Sequence, residues 1–153
     1  MAESTLDGPY VQVGVICTTP LLEQGGALSV IRIQDRVQLA GVTDTMQPQP
    51  LNSLFMVLAL KSGGTTGKFN LTITPISPGG KEIPGFPSFP VLFEGMERGN
   101  VIAFPLPLVA AEEGLYWFEV KLEGALITKI PLRVMYQKIQ MPPGMVLPQP
   151  PSD

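Results

Sequence analysis

The sequence contains no histidine among its 153 residues. Histidine is the usual general base near neutral pH and the commonest metal ligand. Its absence argues against Ser-His-Asp and Cys-His catalysis and against nearly all catalytic zinc sites. Cys17 is the only cysteine, so the chain has neither an intrachain disulfide nor a cysteine cluster for structural zinc. We therefore predict no metal and no cofactor.

Carboxylates are the remaining groups that could carry acid–base chemistry. Glu94 and Glu97 lie close together in the sequence, and Glu112 and Glu113 are adjacent. Two carboxylates that flank a substrate can hydrolyse a glycoside, which leaves a carboxylate-based hydrolase or lyase as an alternative function. The four residues lie among turn signals, where exposed charges are common. We accordingly predict no catalytic residues and a non-enzymatic protein.

A glycine-rich segment at residues 62–68, SGGTTGK, resembles a phosphate-binding loop only in part. The P-loop pattern requires glycine where Ser62 stands and a hydroxyl side chain where Phe69 stands. It also requires a following helix whose N–H groups face the phosphate, whereas the residues after Lys68 alternate as in a strand. The segment therefore predicts a flexible connection between two strands.

Short apolar segments separated by turn residues predict the secondary structure. Val11, Val13, Val15 and Cys17 alternate with other residues, which predicts a strand in which the thiol is buried. Further strands are predicted at 28–34, 54–60, 69–74, 91–93, 101–108, 116–122 and 130–136. Two prolines, at 105 and 107, favour a sheet edge for residues 101–108, because proline cannot donate to a ladder. Residues 84–90, PGFPSFP, predict an extended surface crossing.

These segments define the expected fold and its limits. About eight short strands with regular turn signals predict an all-β fold, a two-sheet antiparallel sandwich of the immunoglobulin-like class. We assign residues 1–9 to an N-terminal arm, 10–140 to the β-sandwich domain and 141–153 to a proline-rich flexible tail. The tail sequence, MPPGMVLPQPPSD, has few backbone donors and little to bury.

The start of the strand at 116–122 carries an architectural motif. Glu112, Gly114 and Tyr116 occupy alternate positions. This spacing resembles the tyrosine corner of immunoglobulin-like sandwiches, in which the tyrosine hydroxyl bonds to upstream backbone. We therefore predict structural roles for Gly114 and Tyr116 and no role in ligand binding.

The next turn, around Gly124, is also predicted to be structural. A three-residue loop at 123–125 pairs Leu122 with Leu126, Phe118 with Ile130 and Tyr116 with Leu132, so that the apolar residues face one another. A two-residue loop would place a lysine opposite Phe118 instead. The longer loop is therefore preferred.

Residues 104–134, FPLPLVAAEEGLYWFEVKLEGALITKIPLRV, resemble the C-terminal half of a family of uncharacterised bacterial proteins, a domain of unknown function. The resemblance extends over most of residues 10–137 and includes the central apolar strand LFMVLAL and the Gly-Leu-Tyr-x-Phe-x-Val strand. It implies a β-sandwich of bacterial origin and no established activity. It supplies no functional residue for this chain.

Charge and composition bound the partners. The chain has a net charge of -3 and only 15% charged residues, without a basic run, so nucleic acid is an unexpected partner. No apolar run reaches the length of a membrane span, and the first ten residues lack the features of a signal peptide, so we expect a cytoplasmic protein. The low charge favours an apolar contact surface. The sequence thus predicts a binding or assembly module, of bacterial or phage origin, that acts through a protein partner or a homo-oligomer.

Overall fold

The computed structural model describes residues 7–51, 53–140, 142–144 and 148. Within these residues the fold is all-β and contains no helix, and therefore none that could span a membrane. The strands are β1 (Tyr10–Leu22), β2 (Leu28–Ile33), β3 (Arg36–Gly41), β4 (Gln49–Pro50), β5 (Phe55–Ile76), β6 (Ser88–Pro105), β7 (Val109–Ala110), β8 (Gly114–Leu122) and β9 (Ala125–Lys138).

Most strands belong to one mixed sheet. Its order is β2-β1-β5-β8-β9-β3, and β6 pairs with β5 beside this path. The prediction of a purely antiparallel fold is wrong, because β3 runs parallel to β9, with Arg36 opposite Arg133. The strand β3 was not predicted at all. A second, two-stranded sheet pairs β4 with β7.

The large sheet is built around two long strands, β5 and β6. The glycine-rich segment at 62–68 lies inside β5 and is not a loop, contrary to the prediction. Pro75 also lies within β5, where its missing N–H is harmless because the neighbouring β6 pairs only as far as Thr72. Residues 88–90 of the predicted surface crossing belong to β6, and Phe86 before them packs on Phe118 with ring centroids 5.8 Å apart.

The pairing of β5 with β6 is irregular between Lys61 and Thr66, and this irregularity divides the sheet into two halves. Half one contains β2, β1, residues 55–61 of β5 and residues 99–105 of β6. Half two contains the later part of β5, the earlier part of β6, and β8, β9 and β3. The phase of the inward-facing side chains changes at the same point, from Leu58 and Leu60 to Leu71 and Ile73.

One hydrophobic core joins the two halves. Met56, Leu58 and Leu60 of half one belong to the same buried cluster as Phe118 and Leu132 of half two. The halves also approach closely at Gly14 in β1: a Cβ there would lie 3.4 Å from Cδ1 of Ile130 in β9. A chain of this length can bury such a core without disulfides or metals.

The hairpin of β8 and β9 confirms part of the predicted pairing. Tyr116 lies opposite Leu132 and Phe118 opposite Ile130, as expected. The loop is shorter than predicted, because Leu122 pairs with Ala125 across a two-residue turn. A bulge then leaves Ile127 without an opposite residue and restores the register in which the apolar side chains meet.

Candidate functional site

Of the four carboxylates considered for catalysis, two make structural contacts, and the other two line separate surface depressions. Glu94 pairs with Arg98 at 2.8 Å, and Oε1 of Glu113 accepts a hydrogen bond from the N–H of Tyr136 at 2.7 Å. Glu97 lies beside Glu94 in one surface depression, whereas Glu112 lines a different one. No group of three or more acidic or cysteine side chains gathers within metal-binding distance in the described residues.

Cys17 is fully buried between β5 and β2. Burial raises the pKa of the Cys17 thiol, although a hydrogen bond with the backbone of Thr19 partly opposes this effect. A buried thiol with a raised pKa is a poor nucleophile, so Cys17 serves as a small apolar side chain.

Tyr116 makes the hydrogen bond that the tyrosine-corner motif predicts. Its hydroxyl donates to the carbonyl of Glu112 at 2.8 Å, and its side chain is 2% exposed. Burial raises the pKa of Tyr116, and the hydrogen bond that its hydroxyl accepts from the backbone N–H of Glu112 acts in the opposite direction. Gly114 has a φ of +132°, and a Cβ there would lie 2.7 Å from Cβ of Pro78. Gly124 has a φ of +83° in the two-residue turn and faces open space.

The face of half one that points away from the core, its outer face, is apolar. If this face were simply exposed to water, polar residues would be expected there. Two cross-strand rows follow from the register: Val15, Val57 and Ala103 form one, and Val13, Ala59 and Val101 form the other. We call these six residues the outer stripe. Val57 is fully buried and Ala59 is 6% exposed, although neither belongs to the main core cluster.

The tip of the β1–β2 hairpin covers only part of the outer stripe. Leu22, Gly25 and Gly26 of this tip line the same depression as Ala59 and Val101. Leu22 is itself 65% exposed and Val101 41% exposed. The stripe therefore continues to an exposed apolar border at β6.

The strand β6 forms a border of the sheet along its whole length, since it pairs only with β5 in the described part of the chain. In half two, Asn70 accepts a hydrogen bond from the N–H of Glu123 on the β8 side. Because backbone groups alternate along an antiparallel strand, its β6 partner Pro90 directs its backbone away from β5. Leu92 and Glu94 must do the same.

At Pro90, Leu92 and Glu94, one outward backbone group each is missing or capped. Pro90 has no N–H. The carbonyl of Leu92 accepts a hydrogen bond from Nδ2 of Asn100 at 2.8 Å, and the N–H of Glu94 donates to Oγ of the buried Ser62 at 3.2 Å. Ser62 is thus a capping residue of the border and not part of a phosphate loop.

The part of β6 in half one lacks this protection. Gly99 lies at the start of the irregular pairing, where a Cβ would collide with the carbonyl oxygen of Leu60. The N–H of Leu106 donates to the carbonyl of Leu54, which fixes the alternation: Val101 and Ala103 direct their N–H and C=O groups away from β5. None of these groups has a hydrogen-bond partner among the described residues. We call residues 99–103 the docking edge. The prediction that 101–108 lies at a border is confirmed for residues 101–105, and Pro105 ends the open stretch.

The strand at Val11–Cys17 also has neither proline nor charge, but it lies inside the strand order, between β2 and β5, and is not a border. The sequence did not show that the docking edge is open, because an open edge is marked only by the absence of protecting residues. The seven residues GNVIAFP at 99–105 carry no charge, and only the last is proline.

Comparison with known proteins assigns no identity. The chain matches no protein-family model, and a search of curated proteins finds no significantly similar sequence. The function must therefore be argued from the geometry of the chain itself.

Proposed function

We propose that this protein is a non-enzymatic binding and assembly module whose docking edge accepts an extended strand from a protein partner. The supporting observation is the contrast within β6: one outward backbone group is capped at each of Leu92 and Glu94, whereas both are open at Val101 and Ala103. Strand addition to an open sheet border is a common mode of peptide recognition, in which backbone hydrogen bonds provide affinity.

The neighbouring outer stripe supports the same role. A strand that pairs with residues 99–103 would place alternate side chains beside Val101 and Ala103, which are both exposed. Apolar side chains at those positions would extend the stripe, although Glu94, Glu97 and Arg98 line the depression at its Val101 end. The edge therefore favours an apolar, uncharged segment.

We further propose that the two halves of the large sheet form an immunoglobulin-like sandwich. The shared core, the approach of Gly14 to Ile130 and the Tyr116 hydrogen bond support this classification. A bacterial origin and a cytoplasmic location belong to the same proposal, on the basis of the sequence resemblance and the low content of cysteine.

The hydrolase alternative rests on Glu94 and Glu97, the one pair among the four candidate carboxylates that shares a depression. Glu112 and the Glu94–Glu97 pair line different depressions. A glycosidase needs two carboxyl groups on either side of one bond, within about 10 Å of each other. Glu94 is moreover paired with Arg98.

Capture of partners with three matched baits tests the proposal. Ala103→Pro removes an outward N–H that does not bond to β5, and Pro105 shows that the same border tolerates proline. Leu92→Pro is the control, because it removes an outward N–H from the protected part of β6. We expect the wild type and L92P to retain the same partner and A103P to lose it. Equal capture by all three folded baits would refute the docking edge.

A further inference from the structure

We infer that the docking edge binds a second copy of this chain, so that two β6 strands pair antiparallel about a two-fold axis. The inference rests on the proposed function and names the partner. A two-fold contact uses the same patch on both subunits, so the patch must be complementary to itself.

The backbone of the docking edge is complementary to itself. With Ile102 on the two-fold axis, Val101 exchanges both of its backbone hydrogen bonds with Ala103 of the second copy, and the reverse pair forms by symmetry. Pro105 has no N–H, so it ends this ladder on both sides of the axis.

The side chains of the edge also suit a second copy. Residues 99–105 carry no charge, so a two-fold contact brings no like charges together directly across the axis. Val101 and Ala103 of the two copies become neighbours on the outer face, which joins the two outer stripes into one apolar surface across both sheets. The low net charge of -3 leaves little long-range repulsion between copies.

The other sheet borders are less suitable for this contact. Arg32 in β2 has a φ of +61°, which interrupts the extended backbone, and its side chain is charged. In β3 the carbonyl of Ala40 already accepts a hydrogen bond from Nε2 of Gln49 at 3.1 Å. Residues 101–103 of the docking edge therefore combine regular pairing with β5, open hydrogen-bonding groups and uncharged side chains.

The expected dimer is weak and reversible. A contact along five residues of one strand buries less than the roughly 1,600 Å² of a standard stable interface. We expect dimer formation to increase over a concentration range from about 10 µM to about 1 mM, which corresponds to binding free energies near 4–7 kcal/mol.

Sedimentation velocity of the full chain over this range tests the inference. The wild type and L92P should shift from monomer to dimer with increasing concentration, and A103P should remain a monomer. Ala103→Lys is a second variant that keeps the backbone N–H, and it should weaken the dimer at least tenfold because strand borders with lysine resist pairing. Hydrogen exchange should show concentration-dependent protection of the Val101 and Ala103 amides.

Two results would overturn the inference. One is a wild type that remains monomeric to about 1 mM, the weakest affinity considered. The other is a dimer that both A103P and A103K leave unchanged while they remain folded. If the wild type is monomeric but captures a different protein in a manner sensitive to A103P, the second copy is the wrong occupant and the proposed function stands. If no partner of either kind depends on residue 103, both proposals fail.

Discussion

The hydroxyl of Tyr116 offers a direct test of how the start of β8 is held. Tyr116→Phe removes one oxygen from a side chain that is 2% exposed and leaves its packing unchanged. The hydroxyl donates a 2.8 Å hydrogen bond to the carbonyl of Glu112. It also accepts a 3.4 Å hydrogen bond from the backbone N–H of Glu112. The substitution therefore removes one good hydrogen bond and one weak one.

The expected loss follows from the surroundings of the acceptor. A typical hydrogen bond contributes about 1 kcal/mol net, and about 1–3 kcal/mol when its partner stays buried without a substitute. Glu112 is an exposed residue, so water can replace the hydroxyl. We expect Y116F to lower the free energy of unfolding by about 1 kcal/mol and the melting temperature by about 3 °C for a chain of this length.

Urea denaturation followed by tryptophan fluorescence measures this change, with Tyr10→Phe as the control. The hydroxyl of Tyr10 has no hydrogen-bond partner in the described part of the chain, so Y10F should change stability by less than about 0.5 kcal/mol. A loss from Y116F no larger than that from Y10F would refute the structural role of the Tyr116 hydroxyl.

The same residue predicts a pH dependence. The raised pKa of Tyr116 in the folded protein means that the unfolded chain loses this proton first as the pH rises. Its contribution to stability is therefore complete below the ordinary tyrosine pKa of 10.0 and is lost as the pH increases through the folded value. The wild type should lose more stability than Y116F between pH 9 and pH 11, two values about one unit either side of that pKa. Parallel curves would contradict this linkage.

Three further predictions concern the glycines, the thiol and the tail. Gly114→Ala should lower the free energy of unfolding by about 3 kcal/mol, because it adds a clash with Pro78 to a left-handed backbone. Gly124→Ala, in open space, should lower it by only about 1 kcal/mol. Equal losses in urea denaturation would contradict the role of Pro78. Cys17 should react with a thiol reagent only after unfolding, and rapid labelling of the native protein would contradict its burial. Truncation after Gln140 should change the melting temperature by less than about 2 °C, since the last backbone contact of β9 with β3, from Ile139 to Gly41, is retained; a loss of several degrees would show that the removed tail is docked.

The alternation of apolar residues predicts the strands well where one face is buried. The segments at 116–122 and 130–136 alternate cleanly, and both appear in β8 and β9 with the expected core pairs. The error in the turn between them has a physical reason. A three-residue loop and a two-residue turn followed by a bulge give the same pairing of apolar residues, so the hydrophobic pattern cannot separate them.

Glycine and proline mislead the prediction where strands are long. Residues 62–68 contain three glycines, which usually mark a turn, but here Gly63 and Gly67 adopt φ values of +58° and +122° within β5 and allow the sheet to change direction. The tail at 141–153 lies mostly outside the described residues, so its predicted flexibility stays a prediction.

The docking edge illustrates why the candidate site could not be predicted from sequence. Whether a strand borders a sheet depends on pairing between distant segments, and whether a border is open depends on single side chains such as Asn100 and Ser62 that reach its backbone groups. Neither side chain lies next in sequence to the group that it caps. The earlier part of β6 carries Glu94, Glu97 and Arg98 and the open part carries no charge, but this difference does not show which backbone groups are capped. The comparison of Ala103→Pro with Leu92→Pro tests directly whether the open groups of β6 bind a partner.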